Sequence, residues 1–371
     1  LSREYLGSPA DISVNGSSVL VADGYTNTRV IEFSANDLAF SHSGEWLASA
    51  SDDQQMVLWD VAKGQEQLTF KGHSAPVQSV CFSSEDIKIA SGSLDQTVKI
   101  WNPLTARLIL TCYGHSAGVN SVAFMPGSTT VASGSDDGTF RLWNSETGAP
   151  LLAQEAHAGG VKAVAFSPDA ALLATAGADE TIKIWTTDGW EMLHILEGTS
   201  ASITSLDFSP DGTLLAAGSE NGIVRVWQPL RGRLRATFAR HESPATDVDF
   251  DNTGELVLST GHDHQLKIWS LAEGLEVLNM VGFDNGHDFM VNNLEGQFNG
   301  TQAGIEQAVH FVQGMDVIPL DALRDRFQVP GLWQEVMTGR PLPIAPAVAD
   351  ARMTPLPEVY ITSPPFRGEP E

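Results

Sequence analysis

Cysteine, basic side chains and long apolar runs are all scarce in this chain of 371 residues. Two cysteines cannot build the disulfide framework of a small secreted domain, although they do not exclude an oxidising compartment. Lysine and arginine total 21 against 46 acidic residues, and the net charge of −25 opposes binding to nucleic acid or to anionic membranes. No apolar run approaches the ~20 residues of a membrane-spanning helix, so direct membrane insertion is not expected.

Tryptophan, in contrast, recurs with a fixed period. Six tryptophans follow one another at intervals of 42 residues: Trp59, Trp101, Trp143, Trp185, Trp227 and Trp269. Phenylalanine stands 19 residues before each of them, and a serine or threonine stands ten residues before five of them. The segments between these markers alternate apolar and polar residues, which indicates half-buried strands. A period of about 40 to 45 residues in a strand-rich chain predicts an all-β fold, a β-propeller.

These markers resemble the WD-repeat family over residues 37–281, as six regular repeats. In that family a His, a strand Ser or Thr, a turn Asp and a strand Trp form a hydrogen-bonded tetrad within a blade. The resemblance implies four structural tetrads: His73–Ser91–Asp95–Trp101, His115–Ser133–Asp137–Trp143, His157–Thr175–Asp179–Trp185 and His241–Ser259–Asp263–Trp269. A catalytic triad is the alternative interpretation of His, Ser and Asp, but an active site is rarely repeated four times at one spacing. No catalytic residue is therefore predicted.

One repeat departs from this pattern. Thr199, Ala217 and Asn221 replace the His, the Ser and the Asp that accompany Trp227. Because hydrogen-bond partners of the buried indole are missing, this blade is predicted to be less stable than the other regular blades.

The N-terminal segment 10–34 resembles a single NHL-type repeat, through Asp23-Gly24-Tyr25-Thr26-Asn27. Some NHL-type propellers are lyases that bind metal through several blades, but this motif occurs once here. We therefore interpret it as a divergent first blade of one propeller spanning 1–282. Phe33 precedes Trp59 by 26 residues instead of 42, which favours about sixteen omitted residues after Phe33 over a three-stranded blade.

Residues 283–340 are predicted to form a degenerate blade or a β/α extension packed on the propeller. With residues 2–6 as a closing strand, the prediction is seven blades, with eight as the alternative. Segments such as 296–300 and 319–321 resemble the region that follows WD repeats in bacterial proteins with a caspase-like peptidase domain. Short helices are expected at 320–327 and 330–336. Residues 341–371, which contain eight prolines, are expected to be a linker or strap.

The predicted function is a non-enzymatic scaffold that binds a protein or peptide through its loop rim, because loops on a rigid frame carry binding sites. The candidate rim residues lie beside the tetrad His and Asp positions: Ser74, Ala75, Leu94, Ser116, Asp136, Ala158, Ala178, Glu220, Glu242 and His262. The alternatives are a regulatory propeller of a larger caspase-like peptidase and, as a less favoured choice, an NHL-type lyase. No cofactor, no metal and no nucleic acid are expected. Membership of a larger complex is expected, and a cytoplasmic location is favoured while a periplasmic or secreted one stays open.

A second surface stands out by its charge. Arg231, Arg233, Arg235 and Arg240 form a basic cluster in an acidic chain. The cluster is interpreted either as solvated strand ends or as a docking patch for an acidic partner.

Overall fold

Antiparallel strands dominate the computed structural model of the chain. It describes residues 35–239, 241–282, 289–294, 297–306, 327–332 and 335–336 with their side chains, and the backbone alone at 19–22, 28–31, 307–313, 316–318, 333–334, 337 and 358–361.

Each regular repeat folds into one four-stranded antiparallel sheet, or blade. The strands of blades 1 to 3 are β3 (Asp37–Phe40), β4 (Trp46–Ala50), β5 (Gln55–Asp60), β6 (Gln65–Lys71), β7 (Val77–Phe82), β8 (Ile89–Ser93), β9 (Thr97–Asn102), β10 (Arg107–Tyr113), β11 (Val119–Phe124), β12 (Thr130–Ser135), β13 (Thr139–Asn144) and β14 (Pro150–Glu155). The strands of blades 4 to 6 are β15 (Val161–Phe166), β16 (Leu172–Gly177), β17 (Ile182–Thr186), β18 (Met192–Leu196), β19 (Ile203–Phe208), β20 (Leu215–Ser219), β21 (Ile223–Gln228), β22 (Arg233–Ala239), β23 (Ala245–Phe250), β24 (Leu256–Gly261), β25 (Gln265–Ser270) and β26 (Leu275–Gly282).

Neighbouring blades pack face to face through the tryptophan ladder. Trp101 of blade 2 lies against Ala48, Met56 and Phe70 of blade 1, and its ring centroid is 5.8 Å from that of Phe70. The ladder tryptophans of blades 2 to 6 are at most 5% exposed. Burying an aromatic side chain of this size is among the largest single contributions to a core. The repeat therefore stabilises the ring through each contact between consecutive blades.

Hydrogen bonds between the first strands of adjacent blades hold the axis of the ring. The backbone N–H of Val122 donates to the Ser79 hydroxyl at 3.1 Å, and that of Val164 donates to the Ser121 hydroxyl at 3.1 Å. The Val80 N–H donates to the Asp37 carboxylate at 2.8 Å. Each bond spans 43 residues, so a polar side chain at one repeat position satisfies the backbone of the next blade.

The WD-repeat propeller predicted from the ladder is confirmed, but the predicted count of seven or eight blades is wrong: the described residues form six blades. The segment expected to begin a further blade forms β27 (Phe289–Asn292) and β28 (Phe298–Gly300). β27 pairs with the outer strand β26, so both strands enlarge the sheet of blade 6 to six strands. An exposed sheet edge accepts a further strand at little cost, which explains the difference.

A short helix covers the face of blade 6 on which a seventh blade would pack. Helices α1 (Gln302–Ala308) and α2 (Leu332–Met337) follow β28. Leu332 of α2 is 0% exposed and lies in one apolar cluster with Ile268, Leu278 and Met280 of blade 6. The helix expected at 330–336 is thus present from Leu332, whereas the one expected at 320–327 lies almost wholly outside the described residues.

The remaining strands form two small sheets. β1 (Val19–Ala22) pairs with β2 (Thr28–Ile31), and β29 (Val309–Gln313) pairs with both β30 (Asp316–Ile318) and β31 (Glu358–Ile361). In the β1–β2 hairpin Val19 pairs with Ile31, as Leu47 pairs with Trp59 in blade 1, while Phe33 lies outside the described residues. Residues 2–6, most of 10–34, and 341–371 apart from β31 lie outside the described residues.

Candidate functional site

The antiparallel order of the strands places two kinds of connection on the same face of the ring. The loop between blades and the turn between the second and third strands of each blade lie together there, and we call this face the loop rim. The other turns lie on the opposite face. His and Asp of each predicted tetrad stand at the two connections of the rim, while Ser or Thr and Trp lie within the strands.

The structure brings the four residues of each predicted tetrad together. In blade 3 the Trp143 indole N–H donates to the Ser133 hydroxyl at 2.8 Å, and Ser133 lies 2.8 Å from His115 Nε2. His115 Nδ1 lies 2.8 Å from the Asp137 carboxylate. Blades 2, 4 and 6 repeat this chain with the corresponding bonds between 2.7 and 3.0 Å.

A neutral imidazole lets every donor and acceptor in each chain find a partner. Trp143 can only donate, so the Ser133 oxygen accepts, and the Ser133 hydroxyl donates to His115 Nε2. His115 Nδ1–H then donates to the carboxylate. Burial lowers the pKa of His115 and of His157, which favours the neutral imidazole that this arrangement requires.

The tetrad carboxylates stay ionised. Burial raises the pKa of Asp95 and of Asp137, but hydrogen bonds outweigh it: His73 and Thr97 are the strongest donors to Asp95, and Thr139 and His115 those to Asp137. The net pKa of both carboxyls is therefore below its usual range.

The same geometry argues against a nucleophilic role for these serines. Ser91, Ser133 and Thr175 are 0% exposed, and the hydroxyl oxygen of each accepts the neighbouring indole N–H. A nucleophile must reach a substrate carbonyl, and a fully enclosed hydroxyl cannot do so. The Ser–His–Asp hydrogen-bond chain of a catalytic triad is present here, but its hydroxyl is enclosed within the blade.

Blade 5 has a different network, as its sequence predicts. Ala217 offers Trp227 no hydroxyl, and the Asn221 amide lies 3.4 Å from the Thr199 carbonyl. Arg225 also donates to that carbonyl, at 2.9 Å. The lower stability expected for this blade stays a prediction.

The tetrads hold the rim loops in place. The Asp137 carboxylate accepts the backbone N–H of Ser116 at 3.0 Å, and Asp95 accepts that of Ser74 at 3.0 Å. The turn is tied to the same loop by the Asp136 N–H, which donates to the Gly118 carbonyl at 2.9 Å. Each tetrad thus links the buried core of a blade to the conformation of its exposed loop.

Most of the candidate rim residues are accessible. Eight of the ten are exposed: Ser74, Leu94, Ser116, Asp136, Ala158, Glu220, Glu242 and His262. Ala75 and Ala178 are half-buried. Asp136 contacts Lys162 of the next blade at 2.7 Å, so part of the rim is cross-linked between blades.

Only two candidate residues, Glu220 and His262, line the cavity of about 460 Å³ at the axis of the rim. Its other lining residues come from blades 1, 2, 5 and 6: Ala35, Asn36, Gln78, Thr204, Pro244, Ala245 and Thr246. The four polar residues among them were not identified from the sequence, although they follow a repeated pattern. The residue that stands 23 positions before each ladder tryptophan is polar in all six repeats: Asn36, Gln78, Asn120, Lys162, Thr204 and Thr246.

Beneath the rim, aspartates of the first strands from blades 1, 5 and 6 share one environment. Burial and, after it, the charge of Asp247 raise the pKa of Asp37 to about 7, against hydrogen bonds that lower it. Burial likewise raises the pKa of Asp207 to about 6, with an additional contribution from Asp247 and a hydrogen bond to Asp249 that opposes it. Ionised carboxylates repel one another, so the folded ring favours the protonated form of part of this group.

Asp37→Asn is expected to remove part of the pH dependence of stability. The folded-state pKa of Asp37 is above its unfolded value of 3.8, so the stabilisation is complete below about pH 4 and is lost as pH rises towards 7. The tetrad histidines act in the opposite direction, because their folded-state pKa is lowered. Urea unfolding from about pH 5 to pH 8 should therefore show the variant gaining stability relative to wild type as pH rises.

Asp211→Asn is the control, because Asp211 lies in an exposed turn and a hydrogen bond from Ser209 lowers its pKa. Its stability profile should run parallel to that of wild type. A parallel profile for Asp37→Asn as well would contradict the assignment of a raised pKa to Asp37.

Metal ligation finds no support in the described part of the chain, where no three His, Cys, Asp or Glu side chains are grouped as a metal site requires. Cys81 and Cys112 are free thiols, and burial raises the pKa of each to about 12 and about 11. Thiols in such surroundings are poor nucleophiles. Within the described residues, no helix has the length and apolar character to cross a membrane.

Comparisons with known proteins agree with this geometry. Residues 104–323 match a family model described as the IFT122 first beta-propeller, and residues 19–60 and 64–102 match the WD domain, G-beta repeat. TOPLESS-RELATED PROTEIN 2 of Oryza sativa subsp. japonica is 50% identical over 48 residues, and Topless-related protein 1 of Arabidopsis thaliana is 44% identical over 48. Each match covers 12% of this chain and 4% of the relative.

These comparisons do not bear on the NHL-like and caspase-related resemblances, which stay predictions. The IFT122 model covers more than half of the chain and includes blades 3 to 6, and the two WD-domain matches include the strands of blades 1 and 2 up to Asn102. The chain therefore belongs to the family of WD-repeat β-propellers represented by the first β-propeller of IFT122.

Proposed function

We propose that this protein is a non-enzymatic scaffold that binds a protein or peptide segment at its loop rim. The observation that carries the proposal is the axial cavity of about 460 Å³, where polar side chains of four blades converge. Concave sites with a few convergent polar groups are the usual form of a specific binding site.

The rigidity of the rim supports the same conclusion. The tetrads and the bonds between turns and loops hold the exposed residues before any partner arrives. A preorganised surface loses little conformational entropy on binding, which increases affinity. The buried state of the Ser-His-Asp sets supports a role in structure over a role in catalysis.

The test is the affinity of a peptide selected from a displayed random library on the immobilised protein. Glu220→Lys combined with His262→Ala alters the cavity, and we expect it to weaken binding by about tenfold or more, as for a central contact of an interface. The matched control, Glu273→Lys with His42→Ala, makes the same chemical changes at exposed residues on the opposite face. Equal loss in both variants, or loss in the control alone, would contradict the proposal.

A further inference from the structure

The outer edge of blade 5 carries concentrated positive charge on an otherwise acidic protein. Residues 231–240 contain four of the chain's 21 basic residues and no carboxylate. Arg231, Arg233 and Arg235 are all exposed. No ion pair found among the described side chains includes any of the three. The positive charge of this edge is therefore not neutralised by carboxylates of the described structure.

The strand that carries two of these arginines also carries an exposed leucine and lies at a sheet edge. β22 is the last strand of its sheet, which has the order β19-β20-β21-β22. A β-bulge at Arg235 interrupts the regular alternation of β22, because Val226 pairs with Ala236 and Trp227 pairs with Leu234, which is 53% exposed. Leu230, in the 3-10 turn Pro229–Arg231 just before β22, is 64% exposed. The edge thus presents exposed basic and apolar side chains next to one another, beside unshared backbone groups.

An apolar surface of blade 4 continues this edge. Met192 of β18 is 49% exposed, and its neighbour His194 contacts the Leu230 carbonyl through Nε2 at 3.2 Å. The Arg235 guanidinium reaches towards blade 6, where it lies 3.5 Å from the Leu271 carbonyl. The basic edge is therefore flanked by both neighbouring blades and is more than a single projecting strand.

The chain itself shows how such an edge is used. In blade 6 the outer strand β26 pairs antiparallel with β27 along Asn279–Gly282. Thr237–Ala239 of β22 stand 42 residues before Asn279–Val281, at the same repeat position. An outer strand of this propeller therefore has the backbone geometry to accept a further strand.

We propose that β22 binds an extended acidic segment of a partner protein by strand addition. Carboxylates of the segment pair with Arg233 and Arg235, and an apolar residue of the segment contacts Leu234. A polypeptide fits better than nucleic acid or an anionic membrane, because the net charge of −25 repels an extended polyanion. Only a polypeptide also satisfies the backbone donors and acceptors of the edge. This site is separate from the loop rim and does not depend on it.

A capped heptapeptide of alternating glutamate and valine is the probe, and its binding is measured by fluorescence anisotropy on the full chain. We expect Arg233→Glu with Arg235→Glu to weaken binding by about tenfold or more, and added salt to weaken binding to wild type. Lys71→Glu with Arg107→Glu is the control, because it reverses two charges on the outer strands of blades 1 and 2. That control and Glu220→Lys at the rim should each retain binding within about twofold of wild type.

A second probe separates strand addition from charge attraction alone. The same heptapeptide with every backbone amide N-methylated keeps its carboxylates but loses the hydrogen-bond donors of both edges, and we expect it not to bind. Retained binding of the methylated peptide, absence of binding by the parent peptide, or equal loss in the control variant would overturn the proposal. Binding of duplex DNA or phosphatidylserine vesicles that depends on the same arginines would also overturn it.

Discussion

Ser133→Ala is expected to lower the free energy of unfolding by about 2–4 kcal/mol, because it leaves two buried polar groups without partners. Ser133 is 0% exposed, accepts the Trp143 indole N–H and donates to His115. Each unsatisfied buried group costs roughly 1–3 kcal/mol. Urea unfolding followed by tryptophan fluorescence measures the change.

The control for this substitution is Ser128→Ala in an exposed turn of the same blade. Its effect should stay within about 0.5 kcal/mol, as for most surface substitutions. A loss below about 1 kcal/mol for Ser133→Ala would mean that the tetrad adds little to the stability of its blade. The conformation of the rim loop would then depend little on the tetrad.

Leu332→Ala is expected to lower the free energy of unfolding by about 2–5 kcal/mol, as for other fully buried leucines. Its side chain lies against Ile268, Leu278 and Met280, where it covers the outer face of blade 6. The cavity left behind would loosen α2 and the strands beneath it. Amide exchange should therefore become faster in β26 and β27 than in β13, because local opening becomes easier.

Leu294→Ala is the matched control, because Leu294 is 51% exposed and lies in the turn between β27 and β28. It removes the same atoms from the same extension without opening a cavity. If both variants behaved alike, α2 would not be the element that shields this face of blade 6.

The ladder made most of this propeller predictable from sequence. Each tryptophan alone is a weak indication of a blade, but six at one spacing together indicate a propeller. Trp143, Ser133 and His115 could be joined without coordinates because the resemblance to WD repeats implies a tetrad, and the same spacing recurs in three other blades. The polar residue 23 positions before each ladder tryptophan, such as Asn36, recurs just as regularly. Polar residues are common on strands, however, so this pattern is harder to recognise.

The number of blades could not be predicted by the same means. A short alternating run such as β27 has the same pattern whether it begins a new blade or joins an existing edge. The choice depends on whether the β26 edge is available and on whether Leu332 reaches the face of blade 6. The local periodicity of the sequence reveals neither property. The helix near Leu332 could be predicted from its own residues, but its packing partner could not.

The location of a selected peptide on the ring tests the central claim most directly. Amide hydrogen exchange of the protein with and without the peptide identifies this location. Binding at the loop rim predicts slower exchange at 74–76, 220–222, 242–246 and 262–264, with no change in the turns at 42–45, 102–106 and 251–255. Protection confined to those opposite turns or to the outer strands would contradict the account.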